Sequence, residues 1–383
     1  MIKEYKLKNG EVRYLYNAYI GISDIGERQK LRKRGFKSKR EAQIAEARAI
    51  AQVDKYGFNN EKKDISFHEM YEQWLENVYK NTVKESTLAN TIGIFENHIL
   101  PSFGKRSIKT ITVNQCQLEV NKWSQNFREF KRFKNYASNI FDYAKTQEVI
   151  KSNPMKKIIL PVIHDEAGED DDTDNFYSKR ELNQFLELMK QDHSLKWYAF
   201  FRMVAYTGMR KGEALALTWK DIDFDNHVIT INKTLTRGLK NRLIIQSTKT
   251  KDGRRKISID SFTINILKKW KIKQAELMLT RGINSNKPTQ LVFSKINGDY
   301  TNPQRPYQKL QSVIKSHNLS PINVHGFRHT HCSILFEAGA TLKEVQERLG
   351  HRDIHTTMNI YAHVTKERKK ETADLFAKYM ENE

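Results

Sequence analysis

His325 and Arg328 stand three residues apart, His351 follows a Leu-Gly pair, and Tyr361 comes ten residues after that. Residues at i and i+3 of a helix project from one face, so the first two side chains can act on a single group. Two imidazoles, a guanidinium and a phenol suit one task. They can hold a phosphodiester between charged donors while the phenol attacks it. Taken singly each has an ordinary reading, the histidines as surface or capping residues and Tyr361 as a core aromatic. Upstream, Arg210 lies between Gly208 and Gly212, and Glu213 is placed to hold its guanidinium in a fixed pose. The ordinary reading of that pair is a surface salt bridge.

Several helices and strands must position these residues. The stretch from Asn323 to Tyr361 reads as three short helices. Asn323 caps the first, Phe327, Ile334, Leu335 and Ala338 form its apolar face, and Gly339 ends it. The face carrying His325 and Arg328 is a different one. Thr341 and Glu344 form a capping box for the second, which carries Leu342, Val345 and Leu349 and stops at Gly350. Ser178 and Glu181 open a helix in the same way. Gly208 ends one helix, Gly212 permits a close turn, and Ala214, Leu215 and Leu217 anchor the next. Strands are expected at 227–234, 243–248 and 256–260, with the last two joined in a hairpin through Asp252-Gly253.

The quartet His325-Gly326-Phe327-Arg328, the triplet Leu349-Gly350-His351 and the following Tyr361 resemble the signature of the tyrosine recombinase (phage integrase) family. The run Thr207-Gly208-Met209-Arg210, continuing through Glu213, Trp219 and Asp221, resembles that family's first-arginine motif. The resemblance implies that Tyr361 is the nucleophile and that Arg210 and Arg328 clamp the phosphate. It makes His325 the proton acceptor for Tyr361, while His351 orients or donates to the phosphate. It also places a general-acid lysine in the hairpin, where Lys249 matches best and Lys251 is the alternative. The implied activity is site-specific recombination through a 3′-phosphotyrosyl intermediate, integrating or excising a phage or mobile element. No cofactor and no metal is implied. The implied partners are double-stranded DNA at core and arm attachment sites, a homo-tetramer on that DNA, and an accessory bending or excision factor.

Composition agrees with a polyanion partner. The chain of 383 residues holds 66 Lys+Arg against 45 Asp+Glu, a formal charge of +21. Two cysteines, Cys116 and Cys332, make no disulfide framework, and no stretch has the length and apolarity of a membrane span, so a cytoplasmic location is expected. The length suits several domains. Residues 1–63 read as strands and a helix. Val12, Tyr14 and Tyr16 alternate with Arg13 and Leu15, Tyr19, Ile20 and Ile22 follow, and Ser38 with Glu41 caps an alanine-rich helix. Eight basic residues fall between Arg28 and Arg40, among them Arg32, Lys33, Arg34 and Lys37. This unit resembles the family's arm-site-binding domain; its plain reading is a solvated charged hairpin.

Residues 64–160 read as all-helical and resemble the family's core-binding domain. Ser66 and Glu69 cap a helix striped by Phe67, Met70, Tyr71, Trp74, Leu75 and Val78. Leu88, Ile92, Phe95 and Ile99 stripe a second, expected to end at Leu100-Pro101. A third starts near Thr112, and a fourth carries Phe130, Phe133, Ala137, Ile140, Phe141 and Ala144. Lys80, Lys84, Arg128, Lys131, Arg132 and Lys134 lie off these stripes as candidate phosphate contacts. Residues 161–175 form an acidic linker, and 176–383 the catalytic domain, ending in a helix through Ala373, Phe376, Ala377 and Met380. The fold class is α+β: a small sheet-plus-helix unit, a helical domain, and a mostly helical catalytic domain with a three-stranded antiparallel sheet. Three rival functions exist: a type IB topoisomerase, a non-catalytic DNA-binding regulator, and a metalloenzyme using His325, His329, His331, His351 and His355. Against the last, Arg328 is a poor neighbour for a cation and no carboxylate sits at ligand spacing.

Overall fold

The computed structural model describes residues 2–7, 10–22, 28–56, 64–162, 175–192, 194–248, 253–350, 357–358 and 380. Residues 163–174 of the acidic linker, Lys249, Lys251, His351, Tyr361 and nearly all of the expected terminal helix lie outside the described residues. The chain divides into two compact units, residues 1–82 with 92–163, and residues 83–91 with 164–383.

In the first unit, β1 (Ile2–Lys6), β2 (Val12–Ile22) and β3 (Arg28–Phe36) form an antiparallel sheet in that order. The alternating residues expected to make successive strands instead make one eleven-residue strand, β2. The basic run that follows is the edge strand β3, where Gly35 takes φ +107 beside a shift in register. Helix α1 (Lys39–Tyr56) starts where Ser38 Oγ accepts from Glu41 N at 3.1 Å. The carboxylate of Glu41 returns to Lys37 N, one residue earlier than a regular capping box requires. Tyr16, stacked on Phe36, and Ala42 are buried between sheet and helix.

The helical part of this unit begins at α2 (Phe67–Trp74), with the expected reciprocal Ser66–Glu69 box. A π-turn over Leu75–Tyr79 then rotates the stripe, so Val78 is 42% exposed while Tyr79 stacks on Trp74. A second π-turn, Phe95–Ile99, joins α4 (Leu100–Phe103) to α3 (Glu85–Ile94), whose first seven residues count with the second unit. Pro101 therefore does not end the helix. It sits in the first turn of α4, where its missing N–H is tolerated, and the turn closes at Gly104. Helices α5 (Val113–Asn126) and α6 (Phe130–Thr146) complete the bundle, and all six expected core residues of α6 are buried.

The second unit packs α7 (Lys179–Gln191), α8 (Leu195–Thr207), α9 (Lys211–Ala216), α10 (Ser261–Leu279) and α11 (Arg305–His317) about one aromatic-rich core. Helices α12 (Gly326–Glu337) and α13 (Leu342–Leu349) follow. A three-stranded antiparallel sheet is present, built from β4 (Ile222–Asp223), β5 (Val228–Ile231) and β8 (Arg255–Ser258). The expected 227–234 strand divides at Asn232, and its second half, β6 (Lys233–Arg237), pairs with β7 (Leu243–Ser247). The hairpin expected between 243–248 and 256–260 is thus not formed. Ser247 pairs with Lys233 and Arg255 with Ile231, so β7 and β8 follow one another along the same partner run. The Asp-Gly signal is local, whereas the pairing is decided by Ile229, Ile231, Leu235 and Ile257, all buried.

Candidate functional site

Arg210 stands where α8 gives way to α9. Gly208 ends α8 with φ +63, and a Cβ there would lie 2.5 Å from Leu349 Cδ2 and 2.8 Å from His331 Cδ2. Only glycine fits that backbone and that gap. Gly212 makes no turn. It lies inside α9, where a Cβ would come 2.5 Å from Thr234 Oγ1 and 2.8 Å from Leu235 O, so its role is close packing against β6. Arg210 N donates to Glu213 Oε2 at 2.9 Å and Arg210 Nη1 to Glu213 Oε1 at 3.0 Å. The Arg210 side chain keeps 42% of its surface exposed while the Glu213 side chain keeps 4%. Burial pushes the Glu213 carboxyl up, but hydrogen bonds and charge from Arg255, then from Arg210, outweigh it and hold the group below the usual range.

Arg328 departs from expectation most. The sequence sets its face apart from the packed one, yet the residue is 1% exposed. The buried side of α12 carries Phe327, Arg328, His331, Cys332 and Phe336, while Ala338 lies outside. The guanidinium satisfies itself on two helix ends, donating from Nη1 to Gly208 O and from Nη2 to Leu349 O, each at 2.7 Å. Burial first, then the charges of Arg210 and Arg255, pull its pKa down to about 9, against Glu213. It remains cationic at neutral pH.

His325 is exposed just before α12, where Asn323 Oδ1 accepts from His325 N at 2.8 Å and from Gly326 N at 2.9 Å. Its ring meets His329 edge-on at 5.0 Å. Asn323 therefore caps the turn that leads into α12 and not the helix itself, whose N-cap is His325 without a side-chain capping bond. The Thr341–Glu344 box and the left-handed Gly350 that closes α13 are also present. Lys249 lies outside the described residues, but Thr248 and Gly253 do not, and a Cβ on Gly253 would stand 2.8 Å from Thr248 Cβ.

Arg255 and Arg348, which the sequence did not single out, and His331, which it named only as a rival metal ligand, complete the cluster. Arg255, on β8, places Nη2 2.9 Å from Glu213 Oε2 and donates from Nε to Arg348 O at 2.9 Å. Arg348, in the last turn of α13, donates from Nε to His331 Nε2 at 3.0 Å and from Nη2 to Tyr206 O and Ser258 O. His331 Nδ1 lies 2.9 Å from Ala205 O. With Nε2 accepting from a guanidinium, the proton belongs on Nδ1. Burial, then Arg348, push its pKa down to about 3. Both ring nitrogens are thus engaged, which removes His331 as a ligand of the rival metal site. The i+3 step from Arg328 to His331 was the one signal available for it.

Of the expected DNA contacts, Arg32, Lys33 and Arg34 lie exposed on β3, and Lys37 just after it. Lys131 is exposed on α6, Lys134 is half-buried, and Arg132 engages Glu129 and the Tyr136 ring. Lys84 is committed elsewhere, donating to Ser247 O at 2.8 Å and Thr248 O at 3.0 Å. Among the described residues no helix is long and apolar enough to cross a membrane.

Residues 175–368 match the phage integrase family, residues 66–124 the phage integrase N-terminal SAM-like domain, and residues 2–53 an arm DNA-binding domain. The chain is 28% identical over 377 residues to the ICEBs1 integrase of Bacillus subtilis (strain 168), covering 96% of this chain and 97% of that one. It is 28% identical over 333 residues to the integrase of Staphylococcus phage L54a, covering 82% and 93%. Its fold is similar to residues 82–397 of the Tn1549 transposon integrase in complex with circular intermediate DNA, with TM-score 0.63, 22% identity, and 81% and 100% coverage. It is also similar to lambda integrase in a tetramer bound to a Holliday junction, with TM-score 0.56, 15% identity, and 93% and 94% coverage.

Proposed function

The chain belongs to the phage integrase family and is a tyrosine-type site-specific recombinase, and from that premise we propose that Tyr361 attacks a DNA phosphate clamped by Arg210 and Arg328. The observation that carries the residue assignment is the charge around Glu213. Arg210, Arg255 and Arg328 gather about this one carboxylate, and Arg348 joins them through its own carbonyl. A site so over-supplied with partly desolvated cations favours an anion of more than one charge-bearing oxygen. A developing pentavalent phosphate is such an anion, and preorganised guanidinium forks stabilise it without reorganising during the reaction.

Each remaining role follows from the chemistry of the step. The phenol has a reference pKa of about 10, so attack needs a proton acceptor, which exposed His325 supplies. His351 follows Gly350 directly in the chain, and its assigned role is to orient or donate to the phosphate. Lys249 protonates the departing 5′ oxygen. The phosphotyrosyl bond conserves the energy of the broken one, and attack by a 5′ hydroxyl of a second strand reverses it. No cofactor takes part in these steps. The test is a nicked duplex that traps covalent intermediates. Wild-type protein should form adducts in excess chelator, and Tyr361→Phe should bind the duplex equally while forming none. Adducts that need added metal, or that survive Tyr361→Phe, would contradict the assignment.

Double-stranded DNA is the partner in this reading, held by a homo-tetramer during two strand exchanges, with an accessory bending or excision factor at the flanking sites. The structural neighbours solved in complex with DNA, one of them as a tetramer, support that assembly. Residues 64–160 and 176–383 grip the core site, joined by the linker at 161–175. Residues 1–63 bind an arm site through Arg32, Lys33, Arg34 and Lys37, giving two weak contacts on one DNA a high effective concentration. Removing residues 1–63 should spare cleavage of a short core oligonucleotide and impair recombination of full sites; equal recombination would refute the second contact.

A further inference from the structure

We propose that Arg255 is a positioning residue for strand cleavage, locking Glu213 so that Arg210 stays directed at the phosphate, while tying Gly253 to the end of α13. The inference rests on the reading of Arg210 as a phosphate clamp. The Arg255 side chain is 6% exposed and starts from β8, where its residue pairs with Ile231. From there one planar group makes four contacts. Nη2 reaches Glu213 Oε2 at 2.9 Å and Nη1 reaches Glu213 Oε1 at 3.4 Å. Nη1 also reaches Gly253 O at 3.3 Å, and Nε reaches Arg348 O at 2.9 Å.

Three segments therefore meet on one guanidinium: the α9 start that carries Arg210, Gly253 at the foot of β8, and the last turn of α13 at Arg348. Glu213 is shared unequally. Arg255 holds it with a fork while Arg210 touches Oε1 with one nitrogen and stays partly open. A carboxylate that already has a fork on it cannot draw Arg210 fully inward. Without Arg255, Glu213 would be an unshared anion beside Arg210, and the clamp would close on its own protein. A lysine could supply the charge but could not span a carboxylate and two carbonyls in one plane.

The experiment compares trapped-adduct formation on a normal scissile phosphodiester and on a methylphosphonate, which lacks one charged oxygen and so needs less of the arginine clamp. Arg255→Lys, which retains the buried charge pair, should slow the phosphodiester by on the order of tenfold to a hundredfold, the range expected when a catalytic group is displaced by about an ångström. Its deficit relative to wild type should shrink markedly on the methylphosphonate. Arg255→Met should behave likewise if it folds, and the lysine variant decides the matter if it does not. Arg255→Lys at wild-type rate on the phosphodiester, or with one deficit on both substrates, overturns the proposal. Arg210→Ala runs in parallel. If it is rescued and Arg255→Lys is not, the positioning role alone falls; if Arg210→Ala is not rescued, the clamp reading falls and this inference with it.

Discussion

Glu213→Gln isolates the electrostatic logic of the site, because it preserves shape and removes one charge. Glu213 is 3% exposed and accepts from Arg210 N, Arg210 Nη1 and both terminal nitrogens of Arg255. The amide keeps one acceptor oxygen but turns an N–H2 toward guanidinium donors. Arg255, almost fully buried, then loses its counter-charge. Breaking a buried pair from one side costs roughly 3–5 kcal/mol. In a unit of roughly 200 residues each kcal/mol lowers Tm by about 2–4 °C, so a fall of roughly 6–20 °C is expected. Because Glu213's pKa is held below its unfolded value, its contribution is complete at pH 7 and fades only as pH falls through the carboxylate range. The assay is thermal unfolding at pH 7 with and without a core-site duplex. Bound phosphate supplies the missing anion, so the variant's deficit should be smaller on DNA. A Tm within about 2 °C of wild type, or a deficit unchanged by DNA, would refute the reasoning.

Gly208→Ala should lose ~2–5 kcal/mol, from left-handed strain and from forcing Leu349 and His331 apart, as read by the denaturant midpoint. Gly282→Ala, also at positive φ but with nothing within 4 Å of its Cβ, should lose only the strain; equal losses would refute the packing argument. His331 has a native pKa of about 3, so it is neutral when folded and protonates first in the unfolded chain. Its stabilisation is present above the unfolded pKa and is lost as pH falls, amounting to about 2 kcal/mol between pH 7 and 5. His331→Gln should flatten the stability profile by that amount, and an unchanged slope would rule the burial argument out. Lys249→Ala should cleave normal DNA slowly and recover on a substrate whose bridging 5′ oxygen is sulfur, a leaving group that needs no proton. Recovery by Lys251→Ala instead would exchange the two roles.

What could be read from the sequence was mostly local. Ser66 with Glu69, Ser178 with Glu181 and Thr341 with Glu344 announce helix starts because donor and acceptor lie within one turn. Gly208 and Gly350 announce helix ends for a similar reason. The signature spacing at 325–328 and 349–361 indicated the chemistry. What stayed hidden depends on residues far apart in the chain. Arg328 belongs to the buried side of α12 only because α8 and α13 present carbonyls to it. Arg255 and Arg348 looked like two basic residues among 66 until β8 and α13 brought them onto Glu213 and His331. The π-turn after Trp74 left no mark in the apolar spacing and moved Val78 outward. The expected hairpin did not form because Asp252-Gly253 marks a turn without specifying which strands pair.

The most direct test of the central claim is to trap the covalent intermediate on a nicked core-site duplex, digest it, and identify both the linked residue and the linked DNA end. Expected is one peptide, carrying the phosphate on Tyr361 and joined to a 3′ end, with a free 5′ hydroxyl on the other fragment. A 5′ linkage, or a phosphate on Tyr300 or Tyr379, would contradict it.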